Sequence, residues 1–140
     1  MVRFKKYETL DAATKKQIES LQKTCLPEDE PVFPEEGTWW VGYDNKQAVA
    51  FCLIRPSYQW EDTTYLARSG VLHYWRGKGL QKRMIRIREN HARKHGYVWM
   101  ISDTTENPPS ANSLARMGYQ MFEPTKPWAL ETTLYWRKRL

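Results

Sequence analysis

The chain lacks any run near the roughly 18 consecutive apolar residues that a membrane-spanning helix needs, and its mean hydropathy is −0.76. Its start, MVRFKKYETL, has no apolar core of the kind a signal peptide carries, so none is expected. There are two cysteines, Cys25 and Cys52, without metal-ligand spacing, which excludes a thiolate metal site and a disulfide scaffold. The expectation is a reduced, cytoplasmic chain without a bound metal. No internal repeat and no low-complexity linker is present, so residues 1–140 read as one domain. Seven tryptophans and eight tyrosines argue for a packed core over a disordered basic chain.

Charge is unevenly distributed. Residues 1–66 carry 8 Lys/Arg against 11 Asp/Glu, and residues 67–140 carry 14 against 5, which sums to the net +6 of the chain. A basic half invites a polyanion, either a nucleotide cofactor or nucleic acid. Five carboxylates, Glu28, Asp29, Glu30, Glu35 and Glu36, crowd the proline-broken stretch 27–37.

Period-2 alternation predicts a strand over 2–8, and Asp11 can cap a helix over 12–24. Residues 39–54 read as a hairpin turning at Asp44-Asn45-Lys46, and 63–73 as a third strand interrupted at Ser69-Gly70. That interruption suits a bulge or a close backbone approach. From Leu80 to His95 the pattern is helical, with Gly96 as its stop. A strand over 97–102, a helix over 107–118 and closing strands over 119–122 and 131–140 complete the order. This is an α/β (α+β) chain on a mixed sheet.

One run stands out: His73-Tyr-Trp-Arg76-Gly77-Lys78-Gly79-Leu80-Gln81-Lys82. A nucleotide P-loop fails because Gly70 lies too far from Gly77-Lys78 and Gly79 follows instead of Ser or Thr. A G-x-G-x-x-G fingerprint starting at Gly77 fails at Lys82. Two readings of the run remain. One is a diphosphate cradle, with glycine amides and a helix N-terminus facing the anion. The other is a tight turn on a solvated basic face.

The run resembles the cofactor turn of the GNAT N-acetyltransferase superfamily, [Q/R]-x-x-G-x-[G/A], with Arg76 at the first position and Gly79 at the central glycine. The last position, small in most members, is Gln81. Asn107 with Gly118-Tyr119 keeps a second spacing of that family, and Ser110 takes its small +3 position. The variant is similar to small members of the superfamily, some from bacteriophages. The resemblance implies a single GNAT-like domain with a mostly antiparallel twisted sheet of about six to seven strands. Helices flank that sheet, and it splays between its fourth and fifth strands.

The resemblance also implies acetyl transfer from acetyl-CoA to an amine by direct attack in a ternary complex. Cofactor contacts are then expected from Val71, Leu72, His73, Arg76, Gly77, Lys78, Gly79, Leu80, Gln81, Lys82, Asn107, Ser110 and Ser113. The amide of Val71, five before Arg76, is the expected oxyanion donor. Asp62, ahead of the third hairpin strand, is the expected base, with Glu61 beside it. The +7 position, often a Tyr that protonates the leaving thiolate, is Leu114, which leaves Ser113 or water. His73 is a weaker proton carrier; His91 and His95 read as packing or solvent positions. The acidic stretch 27–37 suits a cationic acceptor, and one of Trp39 and Trp40 is expected to line its cleft. The aromatic C-terminal strand offers an edge with which a second copy could pair as a homodimer. No membrane partner is expected.

Two rivals stand beside the enzyme. A nucleic-acid-binding module explains Lys82, Arg83, Arg86, Arg88, Arg93 and Lys94 but neither the glycine spacing nor Asn107. A CoA-binding regulatory protein without catalysis fits the departures at Gln81 and Leu114.

Overall fold

The computed structural model describes residues 1–140. The element order is β1 (Val2–Tyr7), α1 (Ala12–Cys25), β2 (Thr38–Asp44), β3 (Gln47–Pro56), β4 (Thr63–Val71), α2 (Leu80–Lys94), β5 (Trp99–Thr105), α3 (Pro108–Arg116), β6 (Gln120–Phe122) and β7 (Thr133–Arg139). A single 3₁₀ turn, His73–Trp75, joins β4 to the glycine run. All seven strands form one sheet in the order β1-β2-β3-β4-β5-β7-β6.

Every neighbouring pair is antiparallel except β4 and β5. That parallel ladder is short, running only from Thr63↔Trp99 to Tyr65↔Ile101. Beyond it β4 and β5 diverge, so the sheet opens as a V toward the C-terminal ends of both strands.

The core has two halves, one on each face. On one face α1 lays Ile18 and Leu21 over Trp39, Val41, Phe51 and Leu53. On the other, α2 and α3 bring Met84, Ile85, Ala92 and Leu114 against Trp40, Ile54, Leu66, Met100 and Trp136. The adjacent tryptophans therefore point to opposite faces, as strand alternation requires, and both are core residues. Neither lines a cleft, contrary to expectation.

Caps mark the helices as read. The Asp11 carboxylate accepts the Thr14 N–H at 2.8 Å, and Asn107 Oδ1 accepts that of Ser110 at 3.3 Å. Cys25 and Cys52 are free thiols, with burial pushing Cys52 up to about 11. The C-terminal strand is not a free edge. β7 pairs with β5 along its length on one side and with β6 over Tyr135–Arg137 on the other, so β6 covers that part of the edge expected to meet a second copy.

Candidate active site

Gly70 continues the β4 ladder opposite Phe51, so it is not the bulge. The register instead slips between Ser69 and Leu66, where β4 holds one residue more than β3. Gly70 is the close approach. A Cβ there would lie 2.5 Å from Cys25 Cβ and 2.7 Å from Phe51 Cε1. The missing side chain lets the end of α1 rest on β4 beside the opening.

At the end of β4 the backbone alternation has a chemical consequence. The Leu72 N–H donates to Val49 O at 2.8 Å, so residues 70 and 72 face β3. The amides of Ser69 and Val71 then face the other way, into the V. Val71 O on that side accepts the Arg76 Nε–H at 3.0 Å, tying the guanidinium to the strand end.

The glycine run follows. Gly77 and Gly79 both adopt left-handed conformations, with φ of 76° and 77°, and a Cβ built on either would meet nothing within 4 Å. Steric demand from the protein does not explain the glycines; their backbone conformation and the empty space in front of them do. Gly79 caps α2 without a side-chain hydrogen bond, and the first helical bond runs from Arg83 N to Gly79 O at 3.1 Å. The N–H groups of the first turn are therefore unpaired, at the positive end of the dipole. With Lys78 and Lys82 exposed beside them, the turn is built for an anion.

Gln81 does not fill this cradle. Its Oε1 accepts the Ser69 hydroxyl at 3.1 Å, which folds the side chain back onto β4. The residue that departs from the motif thus leaves its amide free while braking the strand-to-helix turn.

Asn107 and Ser110 sit at the start of α3, after the C-terminal end of β5. The Ser113 hydroxyl donates to Pro109 O at 3.0 Å, so its proton is held by the helix. Leu114 is a core residue beneath α3. Leu72 is half-buried, packing against both halves of the core, and Leu80 anchors α2 as a buried residue. His73 is exposed and stacks edge-on against Tyr74 at 5.5 Å.

Asp62 is not brought to the opening. Its carbonyl takes the N–H groups of Val98 and Trp99 at 2.8 and 3.2 Å, on the closed side of the V. It precedes Val71 by nine strand positions, roughly 30 Å at about 3.3 Å per residue. Its carboxylate accepts the Thr63 hydroxyl at 3.0 Å.

A different carboxylate occupies the apex. Asp103 lies two residues past Ile101, the last residue of β5 that pairs with β4. Met100 points into the α2 half of the core, so alternation turns Ile101 and Asp103 to the α1 face. Asp103 Oδ2 accepts Tyr65 Oη–H at 2.6 Å and Trp128 Nε1–H at 2.8 Å. Burial, with the Asp103 charge beside it, raises the Tyr65 pKa well above its ordinary value, so Tyr65 remains a donor. Asp103 Oδ1 has no hydrogen-bond partner, and no buried side-chain oxygen in the chain lacks one, so Oδ1 is open to solvent.

Asp103 falls one residue outside the strand expected over 97–102, since β5 runs on to Thr105. The available signal was alternation, with Met100, Ser102 and Thr104 on one face against Ile101 and Asp103 on the other.

The acidic stretch is held over the same face. Gln22 is fully buried and clasps Val32 through both its amide atoms at 3.0 Å. Arg68 Nη1 donates to Glu30 O at 2.6 Å. All five carboxylates of the stretch are exposed, and none is in an ion pair.

Residues 7–119 match the profile of the Acetyltransferase (GNAT) family. Among curated protein sequences none matches. Among solved structures, a Bacillus subtilis acetyltransferase in complex with CoA superposes with a TM-score of 0.78 at 11% identity, covering 100% of this chain and 99% of that one. The ribosomal-protein-S18-alanine N-acetyltransferase of Escherichia coli gives 0.78 at 10% identity, covering 99% and 94%. A GNAT family acetyltransferase from Elizabethkingia anophelis with acetyl-CoA bound gives 0.71 at 10% identity, covering 99% and 98%. At such identities the superpositions speak for the fold. With a family profile spanning most of the sequence and a sheet that opens beside an uncapped, glycine-led helix, the chain belongs to the GNAT acetyltransferase family.

Proposed function

We propose that this protein transfers an acetyl group from acetyl-CoA to a primary amine on a cationic acceptor, by direct attack in a ternary complex. The observation that carries the reading is the α2 N-terminus. Two left-handed glycines and an uncapped first turn stand in open space at the mouth of the V. Two of the solved relatives hold CoA or acetyl-CoA, and the residues here fit such a group.

In this reading the amides from Gly77 to Lys82 hold the pyrophosphate, with Arg76, Lys78 and Lys82 adding charge. Val71, Leu72 and His73 border the arm of the cofactor along β4, and Asn107, Ser110 and Ser113 border it from α3. Acetyl-CoA supplies an acyl carbon already activated by a thiolate leaving group. The Val71 amide donates to the carbonyl oxygen as that oxygen gains negative charge, and the Ser69 amide faces the same gap.

Asp103 replaces Asp62 as the proton acceptor. Its Oδ1 is free and lies on the α1 face, where the acidic stretch draws a cation. The incoming ammonium loses a proton to Asp103 or to water held by it, and the neutral nitrogen then attacks. Tyr65 and Trp128 fix the carboxylate through its other oxygen. As the C–S bond breaks, the second proton of the attacking nitrogen passes to the departing sulfur through water, or through Ser113 once its hydroxyl turns from Pro109 O, which leaves the amide and the free thiol.

The test is thiol release from acetyl-CoA across polyamines, aminoglycosides, amino acids and lysine peptides. At least one cationic class is expected to react. Asp103→Asn should lower kcat about 10²–10⁴-fold, with KM for acetyl-CoA unchanged, while Asp62→Asn stays within about twofold of the parent. Equal loss in both variants, or none in Asp103→Asn, removes Asp103 from this role.

A further inference from the structure

The basic residues of α2 are not one surface. Arg88 is buried at 2% exposure and donates to Met84 O and Leu53 O, both at 3.1 Å, inside the core. Arg83 reaches back to Val2 O at 3.1 Å and lies over the Phe4 ring. Lys94 sits beside His91, near Lys6 and Glu8. What remains, Lys82, Arg86 and Arg93, lines one side of a trench of about 400 Å³, and Arg116 of α3 faces it from the other.

None of these four cations has a carboxylate within ion-pair distance. The acid in the trench, Glu89, is already used: it accepts the Tyr119 hydroxyl at 2.7 Å and pairs with Lys138 at 3.1 Å. Lys138 in turn donates to Met117 O at 2.8 Å. Glu89 and Lys138 neutralise each other, so a net charge of about four is left facing a concave space. Holding like charges together there costs self-repulsion that a bound anion removes.

The trench is separate from the cofactor turn for most of its length. It runs from Lys82 to Arg93, 11 residues of one helix, or about 16 Å at 1.5 Å per residue. Arg93 stands about 21 Å beyond Gly79 by the same measure. A pyrophosphate seated at the turn leaves Arg93 and Arg116 unserved. The length asks for several anionic groups in a row, and guanidinium forks favour phosphate.

We propose that this α2–α3 trench is a second site on the protein, one that holds the phosphodiester backbone of a single-stranded nucleic acid. A trench walled by two helices admits one strand, whereas the convex face of a duplex would meet only its rim. Its one apolar lining residue is Met117, with no aromatic ring on which a base could stack. Binding is therefore independent of sequence.

The experiment is fluorescence anisotropy of labelled 12-mers of oligo-dT and oligo-dA against salt. With four cations engaged, log K should fall with log salt at a slope of about −3, an affinity loss of about 50-fold between 50 and 200 mM. The two oligomers should bind equally. Arg93→Gln/Arg116→Gln should bring the slope to about −1.4. Both residues are exposed and outside the cofactor turn, so an unchanged circular dichroism spectrum and melting temperature are expected beside that loss. Saturating CoA occupies Lys82 at the near end, so it should reduce the slope to about −2 without displacing the oligomer. No binding at 50 mM salt, or an unchanged slope in the double variant, would overturn the proposal. Stoichiometric displacement by CoA would also overturn it, by assigning the trench to the cofactor. The oligomer binding and its slope are read without acetyl-CoA turnover, so the acetyltransferase reading can fail without taking this one with it.

Discussion

Single residues decide where the opening lies and what faces it. Gly70 was legible in the sequence as a point of bulging or close approach, and the second alternative holds. Its Cβ would stand 2.5 Å from Cys25 Cβ, a rigid atom close to the backbone. Gly70→Ala should therefore cost about 1–3 kcal/mol through forced displacement of α1, read as a lower denaturation midpoint. A shift under about 0.5 kcal/mol would show that α1 gives way freely. Asp103 was masked, because the polarity of Ser102-Asp103-Thr104-Thr105 hides the strand alternation that continues through it. Ser102 and Thr104 are tolerated inside because each has a partner, Leu66 O at 3.2 Å and the Trp136 indole N–H at 3.0 Å. Gln81 shows the reverse. The sequence marked it as out of place, but only coordinates could show that its length is taken up by Ser69.

At the scale of elements, α2 does several jobs on different faces. Its first turn presents open amides, one flank carries the trench, and its buried side supplies Met84, Arg88 and Ala92 to the core. Hydrophobic periodicity located the helix to within a residue of its end. It could not sort the arginines, since a buried Arg88 bonded to carbonyl oxygens looks like its exposed neighbours. The last turns add a pH dependence. His91 packs edge-on against Trp40 at 5.2 Å and lies 4.1 Å from His95. Burial, then the charges of His95, Lys6 and Lys94 against that of Glu8, pull its pKa down to about 4. The unfolded chain binds this proton near pH 6.5 and the folded chain does not. The contribution to stability is thus full above about pH 6.5 and lost as pH falls toward about 4. Between pH 7.0 and 5.5 the melting temperature should fall less in His91→Gln than in the parent. Equal falls would place the titration elsewhere.

For the molecule as a whole, the decisive feature is the short parallel ladder. Three residue pairs join β4 to β5, and past the side-chain bonds Ser102–Leu66 and Tyr65–Asp103 the strands part between the uncapped start of α2 and an acid-rich face. The order of strands and helices could be read from sequence, because alternation and glycine punctuation are local signals. The place of β7 between β5 and β6 could not, because pairing partners far apart in the chain leave no local mark. The charge asymmetry was visible as well. Its division into the glycine-led turn and a separate α2–α3 trench required the fold. Acetyl transfer by this fold requires that the glycine-led turn receive acetyl-CoA. A ligand bound only by the folded state stabilises it by about 2.7 kcal/mol at a hundred times its Kd, roughly 8–10 °C for a chain of this size. The direct measurement is the melting temperature with and without millimolar acetyl-CoA, for the parent and for Gly79→Asp. That variant places a carboxylate in the cradle at a backbone conformation that favours glycine. A rise of several degrees is expected in the parent and none in the variant. No rise in the parent, or the same rise in both, would contradict binding at this turn.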